Sequence, residues 1–293
     1  FHNDRLDTEF CIKDNKVYIL QCRPLLGTRK QVNKQKLNLV INNLEAKFNK
    51  INKKNETLFG NKTILSNMSD WNPAEMIGKK PDNVAFGLYK FMFTDSTWNI
   101  QRGEFGYRKY KPAKLMELFN NVAYINVNHS LNSFLTRGLQ VDSCEKVIQH
   151  QLEKLKENPH LHDSIEFNIS RSSYVFDTED EFAIEYKDII SQEEIRKWHQ
   201  DLIEIDSLNK STLERNNKTM LRAFSLLDGH FDYSKKENIK FIRDNMALPF
   251  THHSRLGFVY FAQLNNLFRK DVITEAQKNS FCLLYTSDAA DEE

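Results

Sequence analysis

The spacing of apolar positions changes several times along the chain, and each change marks an element. Leu6 to Ile12 and Val17 to Cys22 are rich in β-branched and aromatic residues on either side of Asp14-Asn15-Lys16, which predicts a β-hairpin with a three-residue turn. Pro24 and Gly27 stop it. From Gln35 to Lys53, Leu37, Leu39, Val40, Leu44, Phe48 and Ile51 recur at roughly helical spacing among Asn and Lys, the pattern of an amphipathic connecting helix with a solvated lysine-rich face. A second unit begins near Thr57. It opens with a short strand, Thr63 to Ser66, and a short helix capped by Asn72, with Pro73 at its first position and Glu75 in its first turn. A longer helix over Asn83 to Gln101, a strand at Ala123 to Val127 and a helix from Ser130 to Arg137 follow. Helices are then predicted over Asp142–Glu157, Gln192–Asn209, Ser211–Leu227, Lys235–Asn245 and Ser254–Val272. The exceptions are a strand at Ile165 to Ile169 and an acidic loop around Asp177 to Glu181. The fold class is therefore mainly α with minor β. Its expected parts are a hairpin (1–24), a connecting helix (25–56), a mainly helical domain with a few short strands (57–281), and a tail (282–293).

Charge narrows the function classes. The 293 residues carry 41 Lys+Arg against 40 Asp+Glu, and 41 − 40 leaves +1, which argues against a nucleic-acid or membrane-surface partner. At 40% hydrophobic residues the chain has enough apolar side chain for a sizeable core. No apolar run approaches the ~20 residues of a spanning helix, Leu256 to Ala262 being about the longest. Cys11, Cys22, Cys144 and Cys282 show neither a paired nor a zinc spacing, so isolated thiols in a reducing cytoplasm are expected. The chain opens at Phe1 inside a strand-like pattern, as a fragment would. Cys282 to Glu293 resembles translated read-through of a sequencing adapter and is expected to be non-native, with few contacts to the helical domain.

The hairpin carries the most informative chemistry. With a three-residue turn, antiparallel pairing sets Glu9 opposite Gln21 and Asp7 opposite Arg23 on one face, leaving Leu6, Phe10, Ile12, Tyr18 and Leu20 on the other. Carboxylate oxygens hold Mg²⁺ and an arginine forks onto phosphate oxygens, so this face suits a metal–polyphosphate group. The alternative, an edge hairpin with a surface ion pair, is the simpler reading of the spacing alone.

Asp7-Thr8-Glu9, a turn, and then Tyr18-Ile19-Leu20-Gln21-Cys22-Arg23-Pro24 resemble the closing hairpin of the ATP-grasp nucleotide domain in the phosphoenolpyruvate synthase and pyruvate phosphate dikinase family. The resemblance covers about 20 residues, with Cys22 where that family usually has a small residue. It implies that Glu9, Gln21 and Arg23 face ATP, that Glu9 also meets Mg²⁺, and that ATP phosphorylates a histidine on a separate domain of the same protein. The helical unit in turn resembles the acceptor-binding insert of dikinase-like phosphotransferases, including the rifampin phosphotransferases, on Ser69-Asp70-Trp71-Asn72-Pro73-Ala74-Glu75-Met76-Ile77-Gly78 and Tyr124-Ile125-Asn126-Val127-Asn128. Pyruvate or another small molecule would be the acceptor; an antibiotic-phosphorylating relative, like the rifampin phosphotransferases, is an alternative that shares the mechanism and differs only in acceptor. The family's catalytic histidine has no counterpart here: Thr251-His252-His253-Ser254 lacks the preceding glycine pair and runs into an apolar helix, so these histidines are expected to be packed or solvated near a helix start. His160-Leu161-His162 reads as a surface pair.

Two groups of polar residues lie among aromatics in the helical unit: Asp70, Trp71, Asn72 and Glu75, then Thr94, Asp95, Trp98, Arg102, Tyr107 and Arg108. Trp71, Asn72, Glu75, Arg102 and Arg108 are the candidate acceptor-binding residues, with tryptophan as a platform and arginine for an acidic group. The competing reading is core aromatics with capping polar residues. The rival from another functional class is a non-catalytic helical module that binds a ligand or protein.

Overall fold

The computed structural model describes residues 6–24, 33–53, 56–67, 72–109, 114–176, 178–227 and 232–286. Some 65% is helical with two small antiparallel sheets, so helices build the core and the strands frame it locally. The chain divides into two compact units, residues 1–50 and 51–293.

In the first unit β1 (Leu6–Lys13) pairs antiparallel with β2 (Lys16–Pro24). The turn is shorter than expected. Asp14 and Asn15, at φ of 50° and 57°, form a two-residue connection whose left-handed pair matches the twist of the strands. That register would have slipped Glu9 off Gln21. A bulge that leaves Leu20 out of the ladder restores it, so Glu9 pairs with Gln21 and Asp7 with Arg23. The same bulge corrects the apolar face: Phe10 pairs with Ile19 and Ile12 with Val17, while Tyr18 lies opposite Cys11 on the Glu9 side. The helix α1 (Lys34–Ile51) is capped by Asn33, whose Oδ1 accepts from the amides of Gln35 and Lys36 at 2.9 and 3.2 Å.

The second unit begins with β3 (Leu65–Ser66) and α2 (Pro73–Ile77). The helix expected over Asn83 to Gln101 is two helices, α3 (Asn83–Tyr89) and α4 (Thr97–Phe105), with a π-helical turn at Lys90–Thr94 between them. Ser96 leaves the helical region at φ −144°, and the break sends Trp98 into a smaller core with Tyr89, Leu115, Met116 and Ile125, whereas Phe105 joins the main core. Next come β4 (Met116–Phe119) and β5 (Val122–Asn126), the latter central between β3 and β4. The sequence reading missed β4, although Asn120 and Asn121, at φ of 48° and 61°, repeat the turn chemistry of the first hairpin.

The helices α5 (Val127–Ser133) and α6 (Val141–Glu157) follow, and α6 buries Cys144, Val147, Ile148, Gln151, Leu152 and Leu155 on one stripe. The strand expected at Ile165–Ile169 is a π-helical turn with both isoleucines fully buried. Its alternation of Ile165, Phe167 and Ile169 fits either period, an ambiguity inherent in short apolar runs. The expected acidic loop forms α7 (Thr178–Tyr186), whose Glu179, Asp180 and Glu181 complement the helix dipole in the first turn. A single 36-residue helix, α8 (Gln192–Leu227), replaces two. Asn209, read as a break, is buried and donates its amide to the Phe105 carbonyl at 3.0 Å, where Gly106 (φ 112°) ends α4 against Ile205. Then α9 (Lys236–Ile242) passes through a π-helical turn, Arg243–Ala247, into α10 (Leu248–Arg269). Finally α11 (Glu275–Thr286) continues regular structure into the segment expected to be a tail, of which residues 287–293 lie outside the described residues.

Candidate functional site

A cavity of 210 Å³ opens between α2, the α3–α4 region and the start of α10. Asn72, Glu75, Tyr89, Arg102, Thr251, Ser254 and Arg255 are its polar lining, and Met76, Phe93, Phe250 and Phe258 its apolar lining. Three of the five sequence candidates, Asn72, Glu75 and Arg102, thus meet in one place. The cap geometry explains the first two: Asn72 Oδ1 accepts the Ala74 amide at 3.1 Å while its Nδ2 donates to Glu75 Oε1 at 2.8 Å.

Arg102 comes from α4 and is only 3% exposed. Its Nη1 donates to Gln101 Oε1 at 2.9 Å, its Nε to Ser133 Oγ at 3.4 Å, and its guanidinium carbon lies 4.2 Å from the Phe134 ring centroid. Gln101 in turn donates to the Thr251 carbonyl at 3.4 Å, which ties α4 to α10. A second tie is the 2.8 Å bond between His252 Nε2 and Glu104 Oε2. This bond holds the Glu104 carboxyl below its ordinary value, against the opposing effect of burial. His252 is therefore packed, stacked 5.2 Å from Phe105, and takes the structural role that the sequence suggested.

Arg255 was missed. Its signal was a lone cation at the head of the Leu256–Ala262 apolar run, one turn from Thr251 and Phe258 on the same helix face. Its Nη2 donates to the Tyr107 hydroxyl, to Oγ and the carbonyl of Ser172, and to Ser173 Oγ, at 2.9 to 3.1 Å, while Nη1 ion-pairs with Glu166. Its guanidinium carbon also lies over Phe134, at 4.8 Å. Two desolvated guanidiniums thus share one aromatic ring beside one cavity; the Glu166 carboxylate balances the charge of Arg255, and the Glu75 carboxylate stands in the same lining. Burial and the Glu75 carboxylate both raise the pKa of the Tyr89 hydroxyl, so it stays a donor.

Arg108 does not join them. It is turned to main-chain carbonyls of Thr136, Arg137 and Leu139, closing the loop after α5. Trp71 and Asp70 lie outside the described residues. Trp98 is core, Asp95 pairs with Lys90 at 3.5 Å, and Tyr107 donates to the Ser172 carbonyl at 2.6 Å. On the hairpin Glu9, Gln21 and Arg23 are exposed. Among the described residues no group of three or more His, Cys, Asp or Glu side chains is placed to hold a metal ion. A single carboxylate beside an amide suits Mg²⁺ only where water and nucleotide phosphates complete its shell, and Glu9 with Gln21 fits that arrangement. Comparison of the chain with protein-family models, with curated proteins and with solved structures finds no match.

Proposed function

We propose that the chain is part of an ATP-dependent dikinase-type phosphotransferase of the phosphoenolpyruvate synthase and pyruvate phosphate dikinase kind, with residues 51–293 holding a small anionic acceptor. The observation that carries the reading is the cavity in which two buried arginines, Arg102 and Arg255, stand beside Asn72 and Glu75. In this reading Arg102 holds the acceptor's acidic group, Arg255, balanced by Glu166, shapes the wall beside it, Glu75 accepts from a hydroxyl, and Phe250 and Phe258 limit access of water. On the hairpin, Arg23 forks onto ATP phosphates and Glu9 meets Mg²⁺, which when bound neutralises phosphate charge. The transferred phosphoryl group passes through a histidine on another domain of the same protein, and no catalytic residue is assigned in this chain. A cytoplasmic location belongs to the same reading. It is supported by the free thiols of Cys11, Cys22 and Cys144, and among the described residues no helix is long and apolar enough to cross a membrane.

The test is calorimetric titration with pyruvate, phosphoenolpyruvate and inorganic phosphate. At least one should bind saturably, and Ser254→Asp, which places a carboxylate in the cavity wall, should weaken it about tenfold or more at unchanged melting temperature. No saturable binding, or binding indifferent to Ser254→Asp, removes the acceptor site. One observation favours a second reading, a non-catalytic interaction module: Phe10, Ile12, Val17, Ile19 and Leu20 of the hairpin are all more than half exposed. The module reading requires the hairpin to bind protein and not MgATP, and the same titration with MgATP decides between them.

A further inference from the structure

A second cavity, of 380 Å³, is lined by the Ser164–Val175 segment, by α7 and by the outer half of α10. It shares no lining residue with the first. Among the described residues, every charged group in its wall already has an opposite partner. Arg171 pairs with Glu181 at 2.8 Å and Glu185 at 3.4 Å, Arg269 pairs with Glu181 at 3.1 Å, and Glu166 pairs with Arg255. The groups left over are uncharged. Asn168, exposed on the π-helical turn, and Asn265, half-buried on α10, both line the cavity, and among the described residues neither side-chain amide bonds to another protein group, so water occupies both until a ligand displaces it. Such an amide offers a donor and an acceptor side by side.

The same wall is aromatic. Phe261, Ala262, Asn265 and Arg269 fall on one face of α10, and Phe167 stands edge-on to Phe261 with ring centroids 5.9 Å apart. Phe261 is 42% exposed, a flat apolar surface beside the free amides.

We infer that this cavity binds an uncharged planar heterocycle with adjacent hydrogen-bond donor and acceptor, a nucleobase presented as its nucleoside. Amide side chains match such an edge in two parallel bonds, and phenylalanine faces stack on the ring without regard to charge. The volume suits it. At ~30 Å³ per water molecule the cavity holds roughly a dozen waters, room for a base and part of its sugar. Because the wall has no unpaired cation among the described residues, phosphates should add nothing, which separates this site from the ATP contact proposed for the hairpin.

The test is saturation-transfer NMR of the chain with adenosine, guanosine, cytidine, uridine and ATP, each titrated to millimolar concentration. At least one nucleoside should saturate. Asn265→Ala and Asn168→Ala should each weaken it about fivefold or more, and Phe261→Ala should do the same, with melting temperature unchanged because these side chains are at most half-buried. The corresponding triphosphate should bind no more tightly than its nucleoside. The inference is overturned if no nucleoside saturates. It is also overturned if binding survives Asn265→Ala, or if ATP alone binds and Arg23→Ala abolishes it, an outcome that places the ligand on the hairpin and leaves the proposed ATP contact standing.

Discussion

Removing Arg255 should be the most damaging single charge deletion in the helical unit, and the structure says by how much. The side chains of Arg255 and Glu166 are 1% and 3% exposed, so neither can exchange its partner for water. Arg255→Met leaves the Glu166 carboxylate buried without its cation and removes the two Nη2 donors that Tyr107, Ser172 and Ser173 share. An uncompensated buried charge costs about 3–5 kcal/mol. For a unit of this size that corresponds to a fall in melting temperature of roughly 6–20 °C. Glu166→Gln should cost less, because the guanidinium keeps its Nη2 bonds and its position over Phe134. The double variant Arg255→Met, Glu166→Leu should recover most of the loss, since replacing a buried ion pair by apolar side chains of similar volume is often neutral or stabilising. Urea unfolding of wild type, both single variants and the double variant closes the cycle, with unchanged m-values as the check on two-state behaviour. The reasoning is refuted if Arg255→Met costs under about 1 kcal/mol, or if the double variant is no more stable than Arg255→Met.

Four other outcomes are expected. Gly60 sits at φ 81°, and an added Cβ would lie 2.7 Å from Ile148 Cγ2 and 2.8 Å from Leu152 Cδ1 on the buried face of α6, so Gly60→Ala should lower stability by about 2–4 kcal/mol in urea unfolding. Burial depresses His129 from 6.5 to about 4, so the unfolded chain binds more protons between those values: stability is complete above pH 6.5 and falls by up to about 3 kcal/mol as pH drops to 4, a loss that His129→Gln should flatten. Although burial opposes it, bonding from His150 and Lys154 holds Glu185 down to about 2, so its stabilisation is intact above pH 4.5 and fades only below that; wild-type stability that is level from pH 6.5 to 4.5 would contradict the His129 assignment. Arg23→Ala should weaken MgATP binding about 10- to 100-fold with no change in melting temperature, because an exposed hairpin arginine leaves no cavity behind; equal affinity in both proteins would make the hairpin purely structural.

The fold was legible wherever one period dominated a long stretch. The stripe of α6 and the cap of α2 were readable because Val147, Ile148 and Leu155 repeat at helical spacing and because Asn72, Pro73 and Glu75 have fixed meanings at a helix start. The errors share a physical origin in tertiary contacts that reassign a local signal. Asn209 looks like a breaker until its amide is seen to satisfy the Phe105 carbonyl of another helix. Ser96 looks helical until two separate cores pull Trp98 and Phe105 apart. The hairpin pairing of Glu9 with Gln21 was right although the turn was not, because one bulge residue, Leu20, offsets one missing turn residue.

The candidate cavity was half legible for a related reason. Its α2 and α4 members, Asn72, Glu75 and Arg102, stand out as polar residues among aromatics, but Thr251, Ser254 and Arg255 belong to a helix whose face cannot be extrapolated from the residues before it. A helix advances about 100° per residue, and a π-helical turn inserts one residue into the ladder. The turn at Arg243–Ala247 therefore rotates everything after it, so the stripe of Ile239 and Ile242 in α9 does not continue along α10. What α10 presents inward is instead the row Thr251, Arg255 and Val259, with Arg255 at full burial. Before α4 the turn at Lys90–Thr94 and the break at Ser96 likewise interrupt the period, and Tyr89, just before that turn, and Phe93, within it, both line the cavity. Polar groups thus enter the core at places where the backbone departs from the regular period, and a reading built on that period passes over them.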